Sequence, residues 1–133
     1  MVTQISADDA IEAVANRSVV SVDRQVSLRQ AAEIMTDESV GVLVVNGYHP
    51  PAIVSERDIV RALAEGCRPD TDRVESVMTL DVAFASRRTP IAEVARIMLD
   101  NEIRHVPVVD KGTVVTVASA RDVMAALLPV GSR

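Results

Sequence analysis

Two stretches carry residue types whose spacing suits chemistry: Ser55-Glu56-Arg57-Asp58 and Ser119-Ala120-Arg121-Asp122. Each follows a β-branched apolar run and leads into a segment with helical apolar spacing. A Ser followed three residues later by an acid is a capping-box pattern, in which the Ser oxygen accepts from the orphan amides of a helix's first turn. On that reading Asp58 and Asp122 complement the helix dipole, a contribution of about 0.3–1 kcal/mol each. A second reading makes each junction a ligand site. Free N–H groups at a helix start favour an anion such as phosphate, the Asp can accept hydrogen bonds from a sugar diol, and Arg makes charge-assisted contacts to phosphate. Arg57 and Arg121 are equally compatible with plain surface positions. The duplication favours the second reading: Ser, Arg and Asp keep their spacing while the residue between Ser and Arg changes from Glu56 to Ala120.

Other chemistry is sparse. Cys67 is the single cysteine of 133 residues, and His49 and His105 are the only histidines. One Cys and two distant His do not make a zinc site, and Cys67 has no base near it in sequence. His105 is flanked by apolar strand residues, as compatible with a half-buried histidine as with a phosphate contact. No nucleophile–base pair or Gly-rich phosphate loop stands out, so no enzyme is expected and no catalytic residue is assigned. Tyr48 and Phe84 are the only aromatics, which removes the base-stacking platforms of single-stranded nucleic-acid binders. A net charge of −5 argues against a general phosphate-backbone binder. The absence of a disulfide pair, a signal-peptide pattern and a bilayer-length apolar run leads to an expectation of a cytoplasmic protein without membrane contact.

The elements that must position the two junctions form a repeat. Met98 aligns with Met35, Val82 with Val19, Arg87 with Arg24 and Val108 with Val45; one extra residue in the second copy then brings Ser119 onto Ser55 and Asp122 onto Asp58. The extra residue falls between two extended segments, where a turn tolerates it. Residues 7–16 read as a short helix and 19–22 as a short strand. Ser27 caps a helix from Leu28 to about Glu38, with Met35 in its core. Residues 41–45 and 52–55 read as strands, and the helix after Ser55 ends near Gly66. The second half repeats this order: a helical turn at 74–78, a strand at 82–85, a helix over 90–101, strands at 106–109 and 113–118 around Asp110-Lys111-Gly112, and a helix over 120–128 closed by Pro129 and Gly131. The expected class is α+β, two β-α-β-β-α repeats with small sheets and flanking helices, divided as repeat 1 over 1–66, linker 67–73, repeat 2 over 74–128 and a tail at 129–133.

With Val77-Met78-Thr79, Ile103-Arg104-His105-Val106-Pro107-Val108-Val109 and the duplicated Ser-x-x-Asp in order, the chain resembles a tandem pair of cystathionine-β-synthase (CBS) domains, a Bateman module, over about Ile11 to Leu127. The resemblance implies a stand-alone, pseudo-two-fold pair that binds AMP, ADP, ATP or S-adenosylmethionine as a regulatory ligand in the cleft between its repeats. It assigns Asp58 and Asp122 to the ribose, Ser55 and Ser119 to the phosphate, and Val82, Ala83, Val106 and Pro107 to adenine, with Val19, Val20, Leu43 and Val44 as first-half counterparts. Thr79, Arg104 and His105 are expected as additional donors at the Asp122 site, against Asn16, Gly41 and Val42 at the Asp58 site, so the Asp122 site is expected to bind more tightly. Ala52 and Thr116 stand where the family usually has Gly, and Thr116 is expected to narrow the second site. A homodimer is expected through apolar helix faces such as 28–38 and 91–99. A ligand-free scaffold that dimerises and docks an unidentified protein partner is the alternative function.

Overall fold

The computed structural model describes residues 5–128 and contains two small sheets with four α-helices. The chain forms two compact units: Val19–Val82, and the chain up to Ser18 together with the chain from Ala83 onward.

In the first of these, β1 (Ser21–Val22), α1 (Leu28–Glu38), β2 (Val42–Val45), β3 (Ala52–Ser55) and α2 (Glu56–Ala64) follow in order. The sheet order is β1-β2-β3, with β1 parallel and β3 antiparallel to β2. Ser27 caps α1 by accepting from the Gln30 amide, while the Gln30 side chain accepts from the Ser27 amide at 2.9 Å, a reciprocal pair that satisfies two backbone donors. Leu28, Ala31 and Met35 recur at helical spacing on the face of α1 that packs with Leu43, Val45, Val54, Ile59 and Ala62. Gly66 takes the left-handed conformation (φ +87°) just past α2, where a Cβ would be strained.

The second unit contains α3 (Ile91–Asn101), β4 (His105–Asp110), β5 (Thr113–Ser119) and α4 (Ala120–Leu127). Its core joins Ile91, Val94 and Met98 of α3 to Val106, Val108, Ala118, Val123 and Ala126. The β4–β5 ladder repeats the register of β2–β3: His105 faces Ser119 as Val42 faces Ser55, and Val108 faces Thr116 as Val45 faces Ala52. The extra residue of the second repeat is absorbed next, as an irregularity between Val108 and Val109. The ladder then continues to a tight turn in which Lys111 (φ 52°) and Gly112 (φ 79°) are both left-handed.

Two local expectations are corrected. Residues 7–16 hold only a 3₁₀ turn at Ile11–Ala13, whereas the helical turn expected at 74–78 is present as a 3₁₀ turn at Val74–Ser76. Residues 82–85 form no strand; a single bridge joins Ala85 to Val108, in parallel, and the second sheet keeps two strands. Pro107 accounts for the loss. In the first unit the Val44 amide donates to the Val20 carbonyl at 3.0 Å. Pro107 occupies the position of Val44 and has no N–H to offer Ala83. Pro129 and Gly131, expected to close α4, lie outside the described residues.

The 3₁₀ turns dock across the repeats. In the chain's order Ile11–Ala13 precedes the first repeat's strands, yet Ile11 is fully buried in the core of the unit that holds α3 and α4. Its amide donates to Thr89 O at 2.8 Å, and Asp9 O accepts from the Ile91 amide at 2.9 Å, satisfying a first-turn donor of α3 where Pro90 offers no side-chain cap. Val74 is likewise buried with α1 and α2; its amide donates to Val26 O at 2.9 Å, and Asp72 O accepts from the Leu28 amide at 3.0 Å. Each repeat's leading turn thus completes the helix start of the other.

Candidate functional site

Both Ser-x-Arg-Asp stretches stand where a hairpin's second strand becomes a helix. At the first, Ser55 is extended (φ −111°, ψ 165°) and its Oγ accepts from the Asp58 amide at 3.2 Å, while Asp58 Oδ2 accepts from the Ser55 amide at 2.9 Å. At the second, Ser119 Oγ accepts from the Asp122 amide at 3.0 Å and Asp122 Oδ2 from the Ser119 amide at 2.9 Å. Both are complete capping boxes, with Asp in the place usually held by Glu or Gln. The helix start is held to the first strand of the hairpin in the same way twice: Glu56 N donates to Gly41 O at 3.0 Å and Ala120 N to Arg104 O at 2.8 Å. The cap commits one carboxylate oxygen of each Asp to the backbone.

What meets that carboxylate differs. Thr79 Oγ1 lies 3.3 Å from both oxygens of Asp58, and Thr79 is fastened to β3 by two backbone hydrogen bonds with Ile53, at 2.7 and 3.1 Å. Asp58 is buried, and Arg61 Nη1 stands 4.0 Å from its Oδ1. Asp122 Oδ1 instead accepts from Arg17 Nη2 at 3.1 Å; the Asp122 side chain is 14% exposed and that of Arg17 64%. This corrects the grouping expected from the repeat. Thr79 belongs with Asp58, not with Asp122, because the segment after Val74–Ser76 packs in the first unit. Arg17, which the spacing did not single out, arrives at Asp122 because the segment after Ile11–Ala13 packs in the second.

The remaining sequence-selected residues separate by unit. Val19, Val20, Leu43, Val44, Ser55, Arg57 and Val82 lie in the unit of Asp58; Ala83, Arg104, His105, Val106, Pro107, Ser119 and Arg121 lie in that of Asp122. Leu43, Val106 and Pro107 are fully buried. Arg57, Arg104 and Arg121 are exposed, and His105 is half-buried opposite Ser119. Thr116 does not narrow the second junction: it shares the buried face of β5 with Ala118, and its Oγ1 has no hydrogen-bond partner. The charge balance also differs. The first junction carries Arg57 and Arg61 beside Glu56; the second carries Arg17, Arg104 and Arg121 with Ala120 in the place of Glu56.

The exposed large apolar side chains are not those of α1. Leu28, Ala31 and Met35 are turned inward; of the large apolar side chains left at the surface, Val60 and Leu63 lie on α2, Leu99 on α3, Met124 and Leu127 on α4, and Leu80, Phe84 and Leu128 outside the helices. Of the two apolar helix faces expected, 91–99 does expose Leu99, whereas 28–38 does not expose its large apolar residues; α2 and α4 add exposed Val60 and Met124 at equivalent positions. Among the described residues no helix is long and apolar enough to cross a membrane, and no group of three or more His, Cys, Asp or Glu side chains is placed to hold a metal ion.

Comparison with known proteins agrees with this arrangement. The CBS-domain family model matches residues 10–65 and again 74–129. A 17.7 kDa protein of Acidianus ambivalens is 33% identical over 123 residues, covering 90% of this chain and 74% of that protein. A CBS domain-containing protein of Arabidopsis thaliana is also 33% identical, over 69% of this chain, which spans only 15% of that longer relative. Among solved structures, a CBS-domain containing protein of Agrobacterium tumefaciens superposes with a TM-score of 0.82 at 27% identity, covering 95% of this chain and 98% of the other. A CBS domain protein of Pyrobaculum aerophilum complexed with AMP gives 0.75 at 30% identity, over 85% and 88%. A CBS domain pair in complex with 5′-methylthioadenosine and S-adenosyl-L-methionine gives 0.78 at 26%, over 91% and 94%. With both repeats matched, both hairpin–helix junctions built alike and the whole fold reproduced in such structures, the chain belongs to the CBS-domain family and carries a tandem pair.

Proposed function

We propose that the chain is a non-catalytic, cytoplasmic regulatory module that binds an adenosine-containing ligand at its Ser-x-Arg-Asp junctions. The observation that carries this reading is the pair of capped aspartates. At each, one oxygen is held by the backbone, and a side chain, Thr79 at Asp58 or Arg17 at Asp122, donates to the carboxylate beside it. A ribose diol needs such a pre-oriented acceptor, and the adjoining helix start and arginines suit phosphate. The complexes of related pairs with AMP, 5′-methylthioadenosine and S-adenosylmethionine support the same ligand class.

The two sites are unequal on this reading. The Asp122 junction has three arginines and no neighbouring Glu, so it takes an anionic nucleotide more tightly than the Asp58 junction. One added charge-assisted contact corresponds to roughly ten-fold in affinity. A ligand bound only by the native state also raises the melting temperature. The test is calorimetric titration of AMP, ATP and S-adenosylmethionine into the wild type, Asp58→Ala and Asp122→Ala. Loss of the tighter AMP event in Asp122→Ala is the expected result. Unchanged binding in both variants would remove the sites from these junctions.

A second reading, a ligand-free scaffold, has its own support in the apolar outer faces of α2 and α4, which suit a homodimer or a docked protein. Light scattering gives the mass in solution. A dimer whose melting temperature ignores every adenosine ligand favours the scaffold.

A further inference from the structure

We propose that Arg17 makes the Asp122 junction select phosphorylated adenosine ligands over neutral ones. The inference rests on the reading of that junction as an adenosine site. Asp122 Oδ2 is occupied by the Ser119 amide at 2.9 Å, a bond that also fixes the start of α4 and is not available for exchange. Oδ1 is the oxygen left for a ligand, and Arg17 Nη2 already donates to it at 3.1 Å. A ribose hydroxyl binding there takes the place of the guanidinium.

The consequence depends on the ligand's charge. A neutral nucleoside displaces Arg17 and returns nothing to it, so the broken ion pair is subtracted from its affinity. A nucleotide brings a phosphate to the same helix start, and the displaced guanidinium exchanges one charge-assisted partner for another. Arg17 is 64% exposed, so it moves through solvent and not through the core. At the Asp58 junction the side-chain hydrogen bond to the carboxylate comes from the neutral Thr79 hydroxyl, part of a backbone-anchored segment, and Arg61 stands at 4.0 Å from Oδ1, beyond hydrogen-bond reach. A ligand shifts an equilibrium only by its differential affinity for the two states. Arg17 supplies that difference at Asp122 alone.

The test is titration of AMP and of adenosine into the full chain carrying Asp58→Ala, so that only the Asp122 junction reports, with and without Arg17→Met. For Arg17→Met the AMP dissociation constant rises about two- to five-fold, the ten-fold loss of one charge-assisted phosphate contact less the ion pair that no longer has to be broken. The adenosine dissociation constant falls about two- to five-fold, the range of a solvent-exposed ion pair that no longer has to be broken. Arg17→Lys, which keeps the charge but not the forked geometry, retains part of the AMP preference. Equal weakening of both ligands, or no change in either, overturns the proposal while leaving the adenosine site standing. If Asp58→Ala alone binds neither AMP nor adenosine, the reading of the junction fails and the selection by Arg17 falls with it.

Discussion

The junctions at Asp58 and Asp122 are built on the same hairpin register and the same reciprocal cap, with carboxylate-to-amide distances of 2.9 Å in both. They part at the residue that touches the carboxylate: a neutral, anchored Thr79 at one and a charged, solvent-borne Arg17 at the other. The shared features all satisfy backbone groups that would otherwise be orphaned, and any residue change there leaves an unmet amide. The differing residues come from the segments that cross from the other repeat. A duplicated scaffold thus keeps its geometry local and takes its selectivity from elsewhere in the chain.

The comparison breaks most visibly at the crossing turns. Ile11→Ala empties a fully buried position and costs about 2–5 kcal/mol of stability, measured by urea unfolding. Hydrogen exchange then locates the damage. Amides of α3 and α4 lose protection before those of α1 and α2, although Ile11 precedes α1 in the chain. Faster exchange in α1 and α2 instead would contradict the assignment of this turn to the second core.

A smaller effect sharpens the comparison between Ala52 and Thr116, which occupy the same position in the two ladders. Ala52 is buried without a polar group, whereas Thr116 buries an Oγ1 that no partner satisfies. Thr116→Val keeps the shape and removes the orphan, and is expected to stabilise by about 1 kcal/mol, read as a higher urea midpoint at unchanged slope. A lower midpoint would mean that the hydroxyl is bonded in solution.

The smallest effect concerns the segment before Val74. Arg29 donates to Asp70, and this hydrogen bond holds the Asp70 carboxyl below its ordinary range. A depressed carboxylate stabilises above its unfolded-state value, and that contribution is lost as the pH falls through the folded-state value. Both side chains are exposed, so Asp70→Asn changes the neutral-pH melting temperature only slightly. The difference between variant and wild type shrinks in melts taken at about pH 3.

Much of this was legible in the residues. Ser27 and Gln30 announce α1 to its first residue because cap chemistry is local. The two Ser-x-x-Asp boxes were readable for the same reason, and their duplication marked them out from ordinary caps. Thr79 was assigned to the wrong aspartate because spacing reports what is near in the chain. Its partner was set by which core buries Val74, a long-range matter. Arg17 carried no signal of its own, since a lone Arg after a short turn resembles any surface residue. The missing strand at 82–85 has a legible cause in Pro107, but only once Pro107 is known to occupy the position of Val44, whose amide holds Val20 in the first unit.

The crossing of the leading turns also sets an order of events during synthesis. The unit over Val19–Val82 is continuous and can close as soon as Val74 has left the ribosome. Ile11 is made earlier than any of it, yet its pocket requires Ile91, Val94 and Val106, which are made after that unit. At ~5–20 residues per second the N-terminal segment waits several seconds or more with its apolar side chains unpaired. The segment around Ile11, made before the first unit, is therefore placed only after that unit is complete.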